Sequence, residues 1–150
     1  MSDDERSIRE ISNLVYRFGY LLDKADFEGI GDLLAHATFG SDLLGRAAFR
    51  GKDEIVEQFR RTSPAEGVKR TKQFYSNMIV DLDGDQATAM CNFLVLQATE
   101  TLPLQPIVCG HFEDSFERVD GVWRFTERYN VVELIGNMSE RLYAGTLPQT

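Results

Sequence analysis

The aspartate at position 23 has the most unusual context of any carboxylate in this chain, because it follows Tyr20, Leu21 and Leu22 at the end of an apolar, helix-periodic run. A carboxylate half buried among such neighbours would have its charged form desolvated, an environment that suits a general base or an anchor for an imidazole. The structural alternative is a helix-end aspartate that pairs with Lys24 or caps the next helix. The chain holds 2 histidines. His36 falls in the expected last turn of a second helix, where helix carbonyls favour a cationic side chain, and is read as structural. His111 lies mid-strand between Gly110 and Phe112. The glycine leaves room for a ligand, and a catalytic histidine and a satisfied, partly buried one fit equally. No metal site is expected, since H-x-x-x-H, H-E-x-x-H and paired Cys/His spacings are missing. There is no G-x-S-x-G elbow, GxGxxG or P-loop either. Acid–base chemistry or simple binding remains.

The elements that must hold these residues fall into two blocks. Ile8, Ile11, Val15, Phe18 and Leu22 step by three and four, with Leu14 and Leu21 widening the stripe, so the first helix is amphipathic. Asp26 is placed to cap a second helix with Ile30, Leu33 and Leu34 on its buried side. A Gly-containing stretch from Phe39 to Gly51 follows, and Asp53 is the expected cap of a third helix carrying Ile55, Val56 and Phe59. Beyond it, runs rich in Thr, Val, Phe and Tyr predict strands at 69–82, 86–100, 106–119 and 122–134, with turns at Asp83-Gly84-Asp85, Pro103 to Pro106 and Asp120-Gly121. A two-residue turn at Asp120-Gly121 pairs Arg118 with Trp123 and Phe116 with Phe125. Continued without a bulge, that register sets Asp114 opposite Glu127, Glu113 opposite Arg128 and His111 opposite Asn130; a bulge would swap the faces. Helices first and strands after, without βαβ alternation, indicate an α+β layer of helices on one face of a curved sheet.

Length and composition agree with one domain over 1–150. The 150 residues are 43% hydrophobic, enough for one sizeable core. With 24 acidic and 16 basic residues the net charge is −8, and basic clusters do not exceed Arg60-Arg61 or the spaced Lys69, Arg70 and Lys72. Nucleic acid is therefore not an expected partner. No apolar run is long enough for a membrane span and the N-terminus is too charged for a secretory signal, so the expected location is cytoplasmic. Cys91 and Cys109 stand alone in apolar runs and read as buried free thiols. The tail from Gly136 offers Leu142, Tyr143 and Leu147, which either line a pocket or pack on a neighbouring subunit.

Five pieces in this order resemble the SnoaL-like, scytalone dehydratase-like branch of the nuclear transport factor 2-like superfamily: ISNLVYRFGYLLDKAD at 11–26, the helix entry at 51–59, TKQFYSN at 71–77, DGDQA at 83–87 and GHFEDSFERVDGVWRFTER at 110–128. The resemblance implies a cone-shaped α+β barrel: three N-terminal helices packed in a highly curved, mostly antiparallel sheet around an apolar pocket, paired as a homodimer through the outer sheet face. It implies a cofactor-independent lyase or isomerase acting on a small hydrophobic or cyclic molecule. Asp23 matches the family aspartate that orients a strand histidine, but Gln73 occupies the histidine's place. A glutamine amide orients a ligand and cannot take its proton. On the resemblance, Asp23 then acts directly as base, His111, Tyr16 or Tyr20 donates, and Gln73 and Asn77 hold a carbonyl or hydroxyl. Asn130 and Arg128 complete the substrate-binding set, with Arg128 pairing with Glu113 or closing the polar end. A single aspartate base suffices where a nearby group stabilises the oxyanion. Two further readings stay open, a non-catalytic ligand-binding protein and a scaffold subunit of a larger oxygenase.

Overall fold

A computed structural model describes residues 1–62, 70–99 and 101–137, with only the backbone of Arg70. Helix α1 (Asp3–Asp23) starts with a capping box. The Glu5 N–H donates to Ser2 Oγ at 3.1 Å, and the Ser2 N–H donates to Glu5 Oε2 at 2.7 Å. Asp3, Asp4 and Glu5 complement the helix dipole in the same turn. The buried stripe is Ser7, Ile11, Val15, Phe18 and Gly19; the expected first member, Ile8, is exposed. The chain leaves α1 through Ala25 at φ 53°, and Asp26 caps α2 (Phe27–Leu33) by accepting the Gly29 N–H at 2.9 Å. Because α2 ends at Leu33, His36 lies in the exposed turn beyond it and not in the expected last helical turn.

The Gly-containing stretch from Phe39 to Gly51, to which the sequence assigns no element, forms a hairpin of β1 (Thr38–Ser41) and β2 (Gly45–Arg50). Helix α3 (Gly51–Thr62) begins two residues before Asp53, which therefore sits in the first turn. Four long strands follow: β3 (Arg70–Asp83), β4 (Gln86–Ala98), β5 (Gln105–Val119) and β6 (Val122–Ile135). The sheet order is β2-β1-β6-β5-β4-β3, antiparallel except where β1 runs parallel to β6. The result is an α+β fold, three helices against a six-stranded curved mixed sheet.

Irregularities interrupt all three long-strand pairings, and bulges of this kind bend a sheet. One of them changes the last hairpin. Asp120 and Gly121 take positive φ as a type I′ turn requires, and Phe116 pairs with Phe125 as expected. Thr126 is then the extra residue, so Ser115 pairs with Glu127, Asp114 with Arg128, Phe112 with Asn130 and His111 with Val131. The expected pairings of Glu113 with Arg128 and His111 with Asn130 are thereby displaced by one residue. The inner face of β4 and β5 presents Ala87, Ala89, Cys91, Phe93, Phe112 and Phe116, which join Ile11, Val15, Phe18, Ile30, Leu34 and Ile55 of the helices in one core.

Candidate functional site: a buried ion pair among aromatic rings

Strand alternation places Asp114 between Phe112 and Phe116 on the inner face, and the bulge turns Arg128 to meet it. Arg128 Nη1 donates to Asp114 Oδ2 at 3.2 Å, and both side chains are fully buried. The guanidinium carbon lies 3.6 Å from the ring centre of Phe112 and 4.2 Å from that of Phe18, so two rings cover the cation. Tyr75 closes the group from β3, meeting Phe112 edge-on with centroids 5.0 Å apart. Its ring lies against Gly19 of α1, where any β-carbon would crowd it.

Hydrogen bonding within this group is incomplete. Tyr75 Oη, Asp114 Oδ1, Arg128 Nε and Nη2, and Asn130 Oδ1 are buried and have no hydrogen-bond partner among the described residues. Buried polar atoms are nearly always paired, so these atoms call for partners, water or a ligand, beyond the described residues. Burial raises the Asp114 carboxyl to about 7 against the lowering effect of Arg128, with Glu127 adding to the rise. Burial also pushes the Cys91 thiol up to about 12 and holds the Tyr75 hydroxyl far above its ordinary range.

Of the residues singled out from sequence, Arg128 and Asn130 share this inner face. Asp23 and Gln73 meet at its edge, but differently from expectation. Asp23 Oδ1 accepts the backbone N–H of Gln73 at 2.9 Å, and Oδ2 lies 3.2 Å from Lys72 Nζ. The carboxylate is only 13% exposed, yet it is spent on anchoring β3. The remaining four lie elsewhere. Tyr16 and Tyr20 are 39% and 62% exposed on α1, Tyr20 with Lys72 Nζ 5.5 Å from its ring centre, and Asn77 is exposed in the β3 bulge at φ 58°. His111 is on the outer face, with Nε2 3.3 Å from Glu113 Oε1 and Nδ1 3.1 Å from Glu133 Oε1. Gly110 leaves no ligand space there, since a β-carbon would run into the Val131 carbonyl. Cys91 is buried and Cys109 half-buried, both free.

Asp114, Tyr75 and the inward turn of Arg128 were not anticipated. The signal for Asp114 was present, a carboxylate at the parity of two phenylalanines. A groove of about 390 Å³ on the outer face, between Arg46, Met90, Glu113 and Glu127, is a weaker candidate. Its charged walls already pair with each other, Arg46 bonding Glu113 at 3.0 Å and Glu127 at 2.5 Å. Residues 63–69, 100 and 138–150 lie outside the described residues, and with them Lys69, Leu142, Tyr143 and Leu147.

The chain belongs to the SnoaL-like domain family, whose model matches residues 4–129. Solved structures from Novosphingobium aromaticivorans share the fold. One, described as nuclear transport factor 2-like with a cystatin-like fold, is 24% identical over 89% of this chain and 85% of that one, with a TM-score of 0.70. A candidate scytalone dehydratase is 20% identical over 87% of each chain, TM-score 0.70. The beta subunit of a candidate aromatic-ring-hydroxylating dioxygenase is 15% identical over 97% of this chain and 100% of that one, TM-score 0.74. No curated protein sequence matches the chain. Among the described residues no helix is long and apolar enough to cross a membrane.

Proposed function

We propose that this chain holds a small hydrophobic or cyclic molecule between α1 and the inner sheet face and acts on it by proton transfer, as a cofactor-independent lyase or isomerase. The observation that carries the reading is the convergence of polar atoms from β3, β5 and β6 in an aromatic lining with their hydrogen-bonding capacity unspent. A mainly apolar pocket with few converging polar groups is the usual design of a small-molecule site. Asp114, whose carboxyl titrates near neutrality, is suited to give or take a proton, and Tyr75 and Arg128 to hold the oxygen on which charge develops. Asp23 matches the family aspartate that orients a histidine, and with Gln73 in the histidine's place it is the second carboxylate suited to take the proton directly, beside Lys72.

The same reading includes a homodimer. Phe74 pairs with Leu94 and Ile79 with Met90 across β3 and β4, and all four side chains are exposed together on the outer face. The test of function is a panel of cyclic ketones, phenols and alcohols scored for both thermal stabilisation and product formation. Turnover lost in Asp114→Asn or Asp23→Asn with unchanged folding supports proton transfer; stabilisation without product would reduce the reading to binding. A second reading, a scaffold subunit of a larger oxygenase, is favoured by the full-length likeness to a dioxygenase beta subunit. Stable assembly with an oxygenase alpha subunit would support it.

A further inference from the structure

The inner face also specifies the charge of its ligand. Asp114 engages one donor of Arg128, at 3.2 Å from Nη1. Nε and Nη2, the two donors that share the side edge of a guanidinium, are buried and unpartnered among the described residues. The guanidinium carbon lies over the ring of Phe112 at 3.6 Å and over that of Phe18 at 4.2 Å, and these two rings stand at 77° to each other. The unpartnered Nε and Nη2 are the donors left for recognition. Two parallel N–H donors on one rigid edge match the two oxygens of a carboxylate, a fit that a lysine ammonium does not offer.

We propose, resting on the pocket reading above, that Arg128 is an anion receptor. It takes the carboxylate of a small aromatic or cyclic acid through Nε and Nη2, while Asp114 holds a proton in the complex. Charge balance gives the coupling. With Asp114 ionised, the Arg128–Asp114 pair is neutral and an incoming carboxylate brings surplus negative charge into an apolar interior. With Asp114 protonated, the guanidinium has one free positive charge and the anion neutralises it.

The surroundings agree. The titratable groups that face Asp114 are Arg128 and Glu127 from β6, and those around Arg128 and Tyr75 include Cys91 of β4 and, at the end of α1, Asp23. Arg128 is the one cation among them. Because the Asp114 carboxyl is raised to about 7, an anion binds with little proton uptake below that pH and with uptake approaching one proton above it. Affinity is full below that pH and falls above it, approaching tenfold per pH unit.

The experiment is isothermal titration of the full chain with benzoate and with its neutral isostere benzamide, at pH 6, 7 and 8 in buffers of different ionisation enthalpy. Benzoate is expected to bind at pH 6 about tenfold or more tightly than benzamide, to weaken several-fold between pH 7 and 8, and to take up a proton at pH 8 but little at pH 6. Asp114→Asn keeps the shape and leaves the cation uncompensated at every pH, so it should bind benzoate without proton uptake and without pH dependence over this range. The double variant Arg128→Met with Asp114→Leu removes both charges together. It should lose the preference for benzoate while retaining benzamide. Benzoate binding no tighter than benzamide, pH-independent in the unaltered chain, or preserved in the double variant overturns the inference. Benzamide binding without benzoate preference leaves the pocket standing and removes only the anion receptor. Binding of neither probe removes both.

Discussion

The Asp23 carboxylate accepts the backbone N–H of Gln73, so the last residue of α1 is tied to the first part of β3 across 50 positions of sequence. The bond is largely shielded and is completed by Lys72 on the second oxygen. Asp23→Asn keeps a carbonyl for the Gln73 N–H, whereas Asp23→Ala leaves that donor unpaired. The alanine variant should lose ~1–2 kcal/mol of unfolding free energy and the asparagine variant much less. Thermal or urea unfolding of both measures the difference, and equal stability for the two would show that the bond contributes nothing.

Removing one member of the Arg128–Asp114 pair leaves the other charge buried and alone. Arg128→Met should therefore cost ~3–5 kcal/mol, and adding Asp114→Leu should recover most of the loss despite being a second core substitution. Urea midpoints of the single and double variants decide the matter. A double variant less stable than the single one would mean that the pair is worth more than the cost of desolvating it.

Stability should also respond to pH through Asp114. Its carboxyl is raised from the ordinary 3.8 to about 7 in the folded chain, so between those values the native state holds a proton that the unfolded state has released. Unfolding free energy contributed by this group is fully present below about pH 4 and is lost as pH rises through about 7. Relative to Asp114→Asn, the unaltered chain should lose stability from pH 5 to pH 8. Parallel pH profiles of the two proteins would refute this.

Gly110 is fixed by its neighbour strand. A β-carbon there meets the Val131 carbonyl, with the Glu133 amide nitrogen at 3.1 Å, and backbone on both sides cannot yield. Gly110→Ala should destabilise by ~2 kcal/mol or more, within the range for overpacked positions. Circular-dichroism melts give the answer; a neutral effect would mean that the bulge at Glu133 relaxes freely.

The proposed dimer makes its own demand. Met90, 46% exposed and opposite Ile79, sits within the outer apolar patch. Met90→Glu introduces a charge that must be desolvated in any interface, so a dimer seen by light scattering should become a monomer with little change in melting temperature. Dimers that persist at equal strength would place the contact elsewhere.

The long strands were legible because their period and turns agree. Asp83-Gly84-Asp85 and Asp120-Gly121 fall at the observed hairpins, and all four strands begin and end within two residues of expectation. The β1–β2 hairpin was not, being two short strands with glycines whose partner β6 lies far along the chain. The site was half legible. Asp114 stood at aromatic parity, but the bulge at Thr126 leaves no mark in hydrophobicity, and it alone decides whether Arg128 looks inward. Asp23 was correctly marked as shielded, yet no periodicity tells that a backbone amide from β3 would claim its oxygen.

The parallel contact between β1 and β6 has a consequence for biosynthesis. Thr38–Ser41 leaves the ribosome long before its hydrogen-bonding neighbour Glu127–Asn130 has been translated. Until then that flank of β1 has no strand to join, and the helices can only cluster loosely beside it. Closure of the architecture is therefore a late event that waits for β6, and nascent chains halted before position 122 should remain open to proteases and chaperones.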